Sequence, residues 1–366
     1  MKIGVPKEIK NGECRVALIP DNVQILKSNG HTVLIEKNAG TLAGFFDQDY
    51  RKAGAILASA DKIWKESDLI LKVKEPQNIE LKKLSANKIL FCYLHLAANL
   101  SLTRALIQSK TTAIALETVQ DLRGRLALLE PMSAIAGRMA MIVGAFFQAT
   151  PQGGGGILVS GLPGVLSAKI AIIGGGTVGE NAAKIAAGLG AQVTILDQKQ
   201  ERLKLLDEIL PENVSTLNST PQNIEEAVTT SDIIIGAVLI PGSKAPKLIT
   251  KKMLKKVKPG SVLVDVSIDQ GGIAETSRPT THSKPVYKVN GLLHYCVPNM
   301  PGAYGRSATL AMTNAVFNYV LKLANLGLKK SFEKDPGFCH GLNVFQGKIT
   351  CKEVAQSLGL AYSPFS

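Results

Sequence analysis

No stretch of this 366-residue chain reaches the roughly 18 consecutive apolar residues that a membrane span needs. The richest run, around Met139 to Phe147, is preceded by Arg138 and ends in Gln148, so no bilayer crossing is expected. The opening M-K-I-G-V-P-K-E-I-K carries charge on both sides of a short apolar patch and reads as a first strand, not a secretory signal. A cytoplasmic location is the default expectation. Cysteine is sparse. Cys14, Cys92, Cys296, Cys339 and Cys351 are an odd number without C-x-x-C spacing, which argues for reduced thiols. Too few ligands at zinc-like spacing surround His294 and Cys296, or Cys339 and His340, for a metal site to be expected. The formal charge of +13 has its densest cluster in K-K-M-L-K-K-V-K, Lys251 to Lys258. That run lacks interleaved aromatics and sets lysines on most faces of a short helix, so it reads as a solvated surface and not a nucleic-acid footprint. The surplus charge favours anionic ligands in general.

What the sequence does have is a fingerprint. From Lys169 to Asp197 it reads K-I-A-I-I-G-G-G-T-V-G-E-N-A-A-K-I-A-A-G-L-G-A-Q-V-T-I-L-D: a strand, a glycine turn, a helix and a second strand closed by a carboxylate. In that context Gly174 permits the tight turn, Gly176 admits a pyrophosphate to the backbone, and Gly179 lets helix pack on strand. The helix N-terminus offers unpaired N–H groups to the anion. Asp197 then stands where a carboxylate takes the ribose hydroxyls of an adenosine. A bare glycine turn in an ordinary α/β unit is the plainer alternative.

Length implies two domains. A first series of strand-like runs covers Lys2–Val5, Thr32–Glu36, Leu69–Val73, Ile89–Leu94 and Thr112–Glu117, with helical patterns such as Asn22–Asn29 and Ser101–Ser109 between them. A second covers Ala168–Ile173, Gln192–Asp197, Asp232–Val238, Ser261–Val266 and Val286–Val289. Its strands are apolar almost throughout, as parallel strands covered on both faces are. Pro131 and a candidate N-cap at Ser133 precede a long helical pattern, Ala134–Gln148, that would carry the chain between halves. A second such pattern, Ala308–Leu326, would carry it back. The expected fold is α/β, with two Rossmann-like doubly wound domains separated by a cleft and linked by two crossover helices. Residues 1–128 plus 306–366 would form the catalytic domain and 129–305 the dinucleotide-binding domain; the tail after Leu328 shows too little pattern to stand alone.

In doubly wound sheets ligands lie beyond the carboxyl ends of the strands. That rule selects Lys74, His95 and Asp269, with Arg15 near the first strand. A guanidinium can grip a carboxylate in bidentate fashion, an ammonium can polarise a carbonyl or imine, and an imidazole can move protons near neutrality. Asp269 could share the proton traffic. Plainer readings exist: Lys72 and Glu75 would make Lys74 part of a surface charge cluster, a lone histidine is usually structural, and an Asp before Gly271 and Gly272 is also a turn.

Taken together, G-V-P-K-E-I-K-N, K-V-K-E-P, Y-L-H-L-A, P-M-S-A-I-A-G-R, I-G-G-G-T-V-G, I-D-Q-G-G, H-Y-C-V-P-N-M-P-G-A and K-L-A-N-L-G resemble NAD-dependent alanine dehydrogenases over essentially the whole chain. The resemblance implies reversible conversion of L-alanine, NAD and water to pyruvate, ammonium and NADH, in a homohexamer without membrane or nucleic-acid partners. It implies Arg15 and Lys74 as substrate-binding residues and His95 and Asp269 as the proton-transferring pair. For NAD it implies Ser133 near the nicotinamide, Val178 at the pyrophosphate turn with Gly174, Gly176 and Gly179, and Asp197 and Arg202 at the adenosine. Ser219, Val238, Leu239, the run Val266, Ser267, Ile268 and Asp269, Arg278, and Val297, Pro298, Asn299 and Met300 complete the set. Cys14 departs from the aromatic or polar residue more usual before the arginine, and would make activity sensitive to thiol reagents. The competing expectations are the NAD-binding subunit of a transhydrogenase, a saccharopine-type amino-acid dehydrogenase, and a non-catalytic NAD sensor.

Overall fold

The computed structural model describes residues 1–240 and 244–365. It contains two compact units, Met1–Met132 with Gly302–Ser366, and Ser133–Pro301. Among the described residues the strands are β1 (Lys2–Val5), β2 (Thr32–Glu36), β3 (Ile56–Ala58), β4 (Leu69–Lys74), β5 (Ile89–Tyr93), β6 (Thr112–Ala115), β7 (Lys169–Ile173), β8 (Gln192–Asp197), β9 (Val214–Asn218), β10 (Ile233–Gly236), β11 (Val262–Asp265), β12 (Val286–Val289), β13 (Leu292–Tyr295), β14 (Leu342–Phe345) and β15 (Lys348–Ile349).

The first unit has one sheet in the order β15-β14-β6-β5-β4-β1-β2-β3. Strands β1 to β6 run parallel, and β14 and β15 add antiparallel at one edge. The order reverses between β1 and β4, the switch point at which a doubly wound sheet opens a crevice for ligands. Side chains close the helix ends locally: Asn99 Oδ1 accepts from the N–H of Leu102 at 3.0 Å, and Pro20 opens the helix Pro20–Ser28 at a position where its missing N–H costs nothing. The tail is fixed to the sheet by an aromatic cluster in which Phe338 meets Phe91, Tyr319 and Phe332 at ring-centroid distances of 5.7, 5.0 and 5.1 Å.

In the second unit the order is β12-β13-β11-β10-β7-β8-β9, parallel except for the edge strand β12. Alternate residues serve opposite faces. Ile170, Ile172, Val193, Ile195, Ile233, Ile235, Val262 and Val264 pack with Ala182, Ala183 and Ala186 of helix Thr177–Gly188, while Ala171, Ile173, Leu196, Ile234 and Leu263 pack with Ile224 and Val228 of helix Pro221–Thr230. Each such fully buried aliphatic side chain contributes about 1.5–3 kcal/mol of transfer free energy, which is why the strands read as continuous apolar runs.

Several expectations are revised. Ser133 is not an N-cap: the helix starts earlier, Glu130–Phe147, because Pro131 is tolerated in a first turn. The chain passes between the units within this helix, and again within the short turn Met300–Tyr304 that leads into helix Gly305–Lys334. That last helix is interrupted at Gly327, whose φ of 74° no helical residue adopts. Strands β3, β9, β13, β14 and β15 were not expected, being short or, in the case of β9, mostly polar.

Candidate active site

In the first unit the loop after β1 carries Arg15, the last residue of β4 is Lys74, and His95 lies two residues past β5. These three therefore belong to neighbouring strands at the switch point. Arg15 is buried, with its guanidinium fixed by Glu13: Nε donates to Oε1 at 2.6 Å and Nη2 to Oε2 at 2.5 Å, while Nη1 meets the Met132 sulfur at 2.9 Å. The loop is pinned to the helix behind it, where the Val16 N–H donates to Thr309 Oγ1 at 3.1 Å and a Cβ on Gly305 would fall 2.6 Å from the Cys14 carbonyl oxygen.

Lys74 is buried too, and the reading of its segment as a surface cluster is overturned. Lys72 is fully enclosed and ion-paired to Glu8 at 3.1 Å and Glu80 at 3.2 Å, and Glu75 pairs with Lys10 at 2.5 Å. Unpaired, such a buried charge would cost several kcal/mol, so Glu8 of the first loop and Glu80 of helix Asn78–Leu81 are what permit Lys72 inside β4. Lys74 Nζ stands 3.4 Å from His95 Nε2. An ammonium only donates, so this contact favours the tautomer that leaves Nε2 free to accept.

His95 adopts φ 49° and ψ 43°, a left-handed conformation uncommon for a side-chain-bearing residue. Glu117, beyond β6, holds it there, accepting the N–H of His95 at 2.6 Å and that of Leu94 at 3.1 Å. The Tyr93 ring stacks on the imidazole at 6.3 Å and 13°, and its hydroxyl donates to the Leu128 carbonyl at 2.6 Å. Desolvation, then the positive charges of Lys74, Lys10 and Arg15, keep the imidazole well below its ordinary pKa. The residue retains a solvent-exposed surface, so the cations are the firmer part of that cause. Glu117 is shifted up by burial, against the hydrogen bonds that it accepts. Glu13 carries no strand-end signal, and Glu117, although it closes the run Thr112–Glu117, was not singled out in the sequence.

In the second unit the order again reverses, between β7 and β10. Gly174 has φ 107°, and a Cβ there would lie 2.6 Å from the Ala237 carbonyl oxygen; one on Gly179 would lie 1.9 Å from that of Gly174. A Cβ on Gly176 would meet nothing within 4 Å, and helix Thr177–Gly188 starts without a side-chain cap. Open space before uncapped N–H groups fits a pyrophosphate. Val178 packs its carbonyl against Gly137, where a Cβ would sit 2.1 Å from that oxygen, one turn beyond Ser133 in helix Glu130–Phe147. Asp197 closes β8 and accepts the Gly175 N–H at 2.7 Å and the Lys199 N–H at 2.9 Å. Arg202 donates to the Gly175 carbonyl, and the Ser219 N–H to the Asp197 carbonyl at 3.0 Å.

The remaining nucleotide-site candidates follow neighbouring strands. Val238 and Leu239 follow β10, Val266 to Asp269 form a 3₁₀ turn after β11, and Val297 to Met300 follow β13. Asn299 has φ 59°, and Arg278 lies over the Tyr287 ring at 4.3 Å. Asp269 is exposed at the tip of its turn. That turn is organised by Asp265, buried at the end of β11, which accepts from Ser277 Oγ at 2.5 Å, the Ile273 N–H at 2.8 Å and the Ser267 N–H at 3.2 Å. Lys247 caps it, donating to the carbonyls of Gly271, Gly272 and Ala274. Neither residue was singled out in the sequence. Among the described residues no group of three or more His, Cys, Asp or Glu is arranged to hold a metal, and no helix is long and apolar enough to cross a membrane.

A parallel sheet in this order, with open space at its central glycine turn and a carboxylate closing the next strand, defines the Rossmann-type dinucleotide-binding class. The chain belongs to the alanine dehydrogenase/PNT family: the model of the N-terminal domain matches residues 4–136 and that of the C-terminal domain residues 140–352. It is 54% identical over 363 residues to the alanine dehydrogenase of Halomonas elongata, covering 99% of this chain and 98% of that one. Identity to the alanine dehydrogenase of Staphylococcus haemolyticus is 50%, with the same coverage. Among solved structures, an L-alanine dehydrogenase superposes with a TM-score of 0.93 at 48% identity, over 98% of this chain and 99% of that one. A transhydrogenase from Sinorhizobium meliloti superposes at 0.80 with 25% identity, over 96% and 99%.

Proposed function

We infer that this protein is an L-alanine dehydrogenase that interconverts L-alanine and water with pyruvate and ammonium, using NAD. The observation that carries the reading is the contact of Lys74 with a neutral His95 beside a buried Arg15, in a chain alike along its full length to proteins named alanine dehydrogenase. When bound, NAD accepts the hydride of the substrate Cα. The chain's own groups do the rest. Arg15, held flat by Glu13, presents a guanidinium to the substrate carboxylate. Lys74 polarises the carbonyl or imine, stabilising negative charge as it develops on that atom. His95, which the neighbouring cations keep unprotonated, takes a proton from the attacking water at Nε2 once Lys74 turns from that nitrogen to the substrate. Asp269 is the second proton-transferring group.

Within the same reading, residues 129–305 bind NAD and residues 1–128 plus 306–366 bind the amino acid. Asp197 accepts the ribose hydroxyls, and Gly174, Gly176, Val178 and Gly179 receive the pyrophosphate. Ser133, Arg202, Ser219, Val238, Leu239, Val266, Ser267, Ile268, Arg278, Val297, Pro298, Asn299 and Met300 complete the cofactor set. A cytoplasmic homohexamer belongs to the same proposal and rests on the family likeness. The test is formation of NADH, followed by near-ultraviolet absorbance, across small L-amino acids. L-alanine should be the best substrate. No NADH from any of them, or hydride exchange between two nicotinamides in place of deamination, would remove the reading.

A further inference from the structure

Arg202 lies in the first turn of helix Gln200–Ile209, directly after β8, where an arginine in a dinucleotide fold can receive a 2′-phosphate. Here its side chain is already engaged. Nε donates to the Gly175 carbonyl and Nη2 to Oε2 of Glu180, each at 2.5 Å. Glu180 occupies the first turn of helix Thr177–Gly188, and its other oxygen accepts from Lys184 at 2.6 Å. Burial alone would raise the Glu180 carboxyl, but the hydrogen bonds from Lys184 and Arg202 hold it below the usual range, so it is charged at neutral pH. The Gly175 backbone is gripped on both sides, its N–H by Asp197 and its carbonyl by Arg202.

We propose that Glu180 sets the choice between NAD and its 2′-phosphorylated form, by holding Arg202 in a closed ion pair. The proposal rests on the nucleotide site inferred above and adds to it a residue beyond Asp197. A ribose diol leaves the pair intact, because Asp197 alone can accept its hydroxyls. A 2′-phosphate carries up to two negative charges and must draw Arg202 from Glu180 before it gains a cation. It then meets two carboxylates, Asp197 and Glu180, of which the second has lost half its partners. Glu180 thus acts twice, by occupying the arginine and by repelling the phosphate. Side chains of the pair are 23% and 20% exposed, so solvent screens part of the effect.

The test is calorimetric titration of the full-length protein with NAD and with NADP, in the wild type, Glu180→Gln and Glu180→Gln/Arg202→Ala. Releasing the charge-assisted bond should raise the NADP-to-NAD affinity ratio about tenfold in Glu180→Gln. Most of that gain should disappear in the double variant, because the freed arginine is its main source and only the relieved repulsion remains. Glu180→Ser should move the ratio the same way, with no amide left to recapture Arg202. A ratio that stays put in both single variants while NAD still binds overturns the proposal, as does a gain that loss of Arg202 leaves undiminished. Wild-type protein that binds neither nucleotide would remove the nucleotide site itself, and the proposal with it.

Discussion

His95 concentrates several costs in one residue. A left-handed backbone for a non-glycine residue costs about 1–2 kcal/mol, and the Glu117 carboxylate offsets it by taking the N–H groups of Leu94 and His95. The reward is a fixed imidazole beside Lys74. Because its pKa lies below the ordinary 6.5, the neutral base form persists to lower pH. The acid limb of kcat/KM for alanine oxidation should therefore fall below about 6.5. Lys74→Gln should move that limb upward by removing a cation, and an acid limb above 7 in the wild type would contradict the assignment. His95→Ala should lower turnover by about 10² to 10⁴ in the same assay. Cys14 is revised by its surroundings: burial first and Glu13 next raise its thiol, against the pull of Arg15. Labelling by a maleimide at pH 7 should accordingly be slower than for a free thiol, which limits the sensitivity expected from sequence. At this scale the strand-end rule singles out Lys74 and His95, since each closes or follows an apolar run, with Arg15 near the first strand. Glu13 was invisible, and Glu117 was passed over although it closes the run Thr112–Glu117, because their roles exist only as distances to groups brought near by the fold.

Elements were legible where a pattern repeats. The parallel strands β1, β2, β7 and β8 follow from apolar runs, and the start of β7 and the ends of β4 to β6 shifted by only one or two residues. Strand β13 could have been read: Asn290 and Gly291, at φ 50° and 83°, form the two-residue turn that joins it to β12, and Asn-Gly is the strongest short hairpin signal. Strands β14 and β15 offered less, with a turn at Gln346 and Gly347 between two short runs. The glycine turn makes the firmest element-scale prediction. Gly179→Ala places a methyl 1.9 Å from the Gly174 carbonyl oxygen, which is backbone and cannot yield without moving the helix start. NAD binding by calorimetry should fall at least about tenfold, with a loss of stability of about 1–3 kcal/mol in denaturant melts. Gly176→Ala meets nothing in the protein and should leave stability nearly intact while still weakening the nucleotide, a split that separates packing from binding.

At the scale of the molecule, the first unit is discontinuous in sequence and the second is not. Its sheet ends in β14 and β15, and β14 pairs Leu342 with Ile114 and Val344 with Ala113. The Ala115 N–H donates to the Gly341 carbonyl at 2.7 Å, and Asn343 Nδ2 to Thr118 Oγ1 at 2.8 Å. Removing everything after His340 should strip these partners from β6 and expose its edge. Pulse proteolysis should then cut residues 1–132 far faster than 133–301; equal protection of the two would mean that the tail is not needed for the first sheet.

That interleaving also imposes an order in time. A ribosome releases the chain from its amino end, so the segment 133–301 can fold as soon as it has emerged. Strands β1 to β6 leave the ribosome first, yet the edge of β6 waits, unpaired, for residues made last. The strands that carry Arg15, Lys74 and His95 are thus among the earliest to be made and the latest to be completed, and during that interval the open edge is where a nascent chain would need a chaperone.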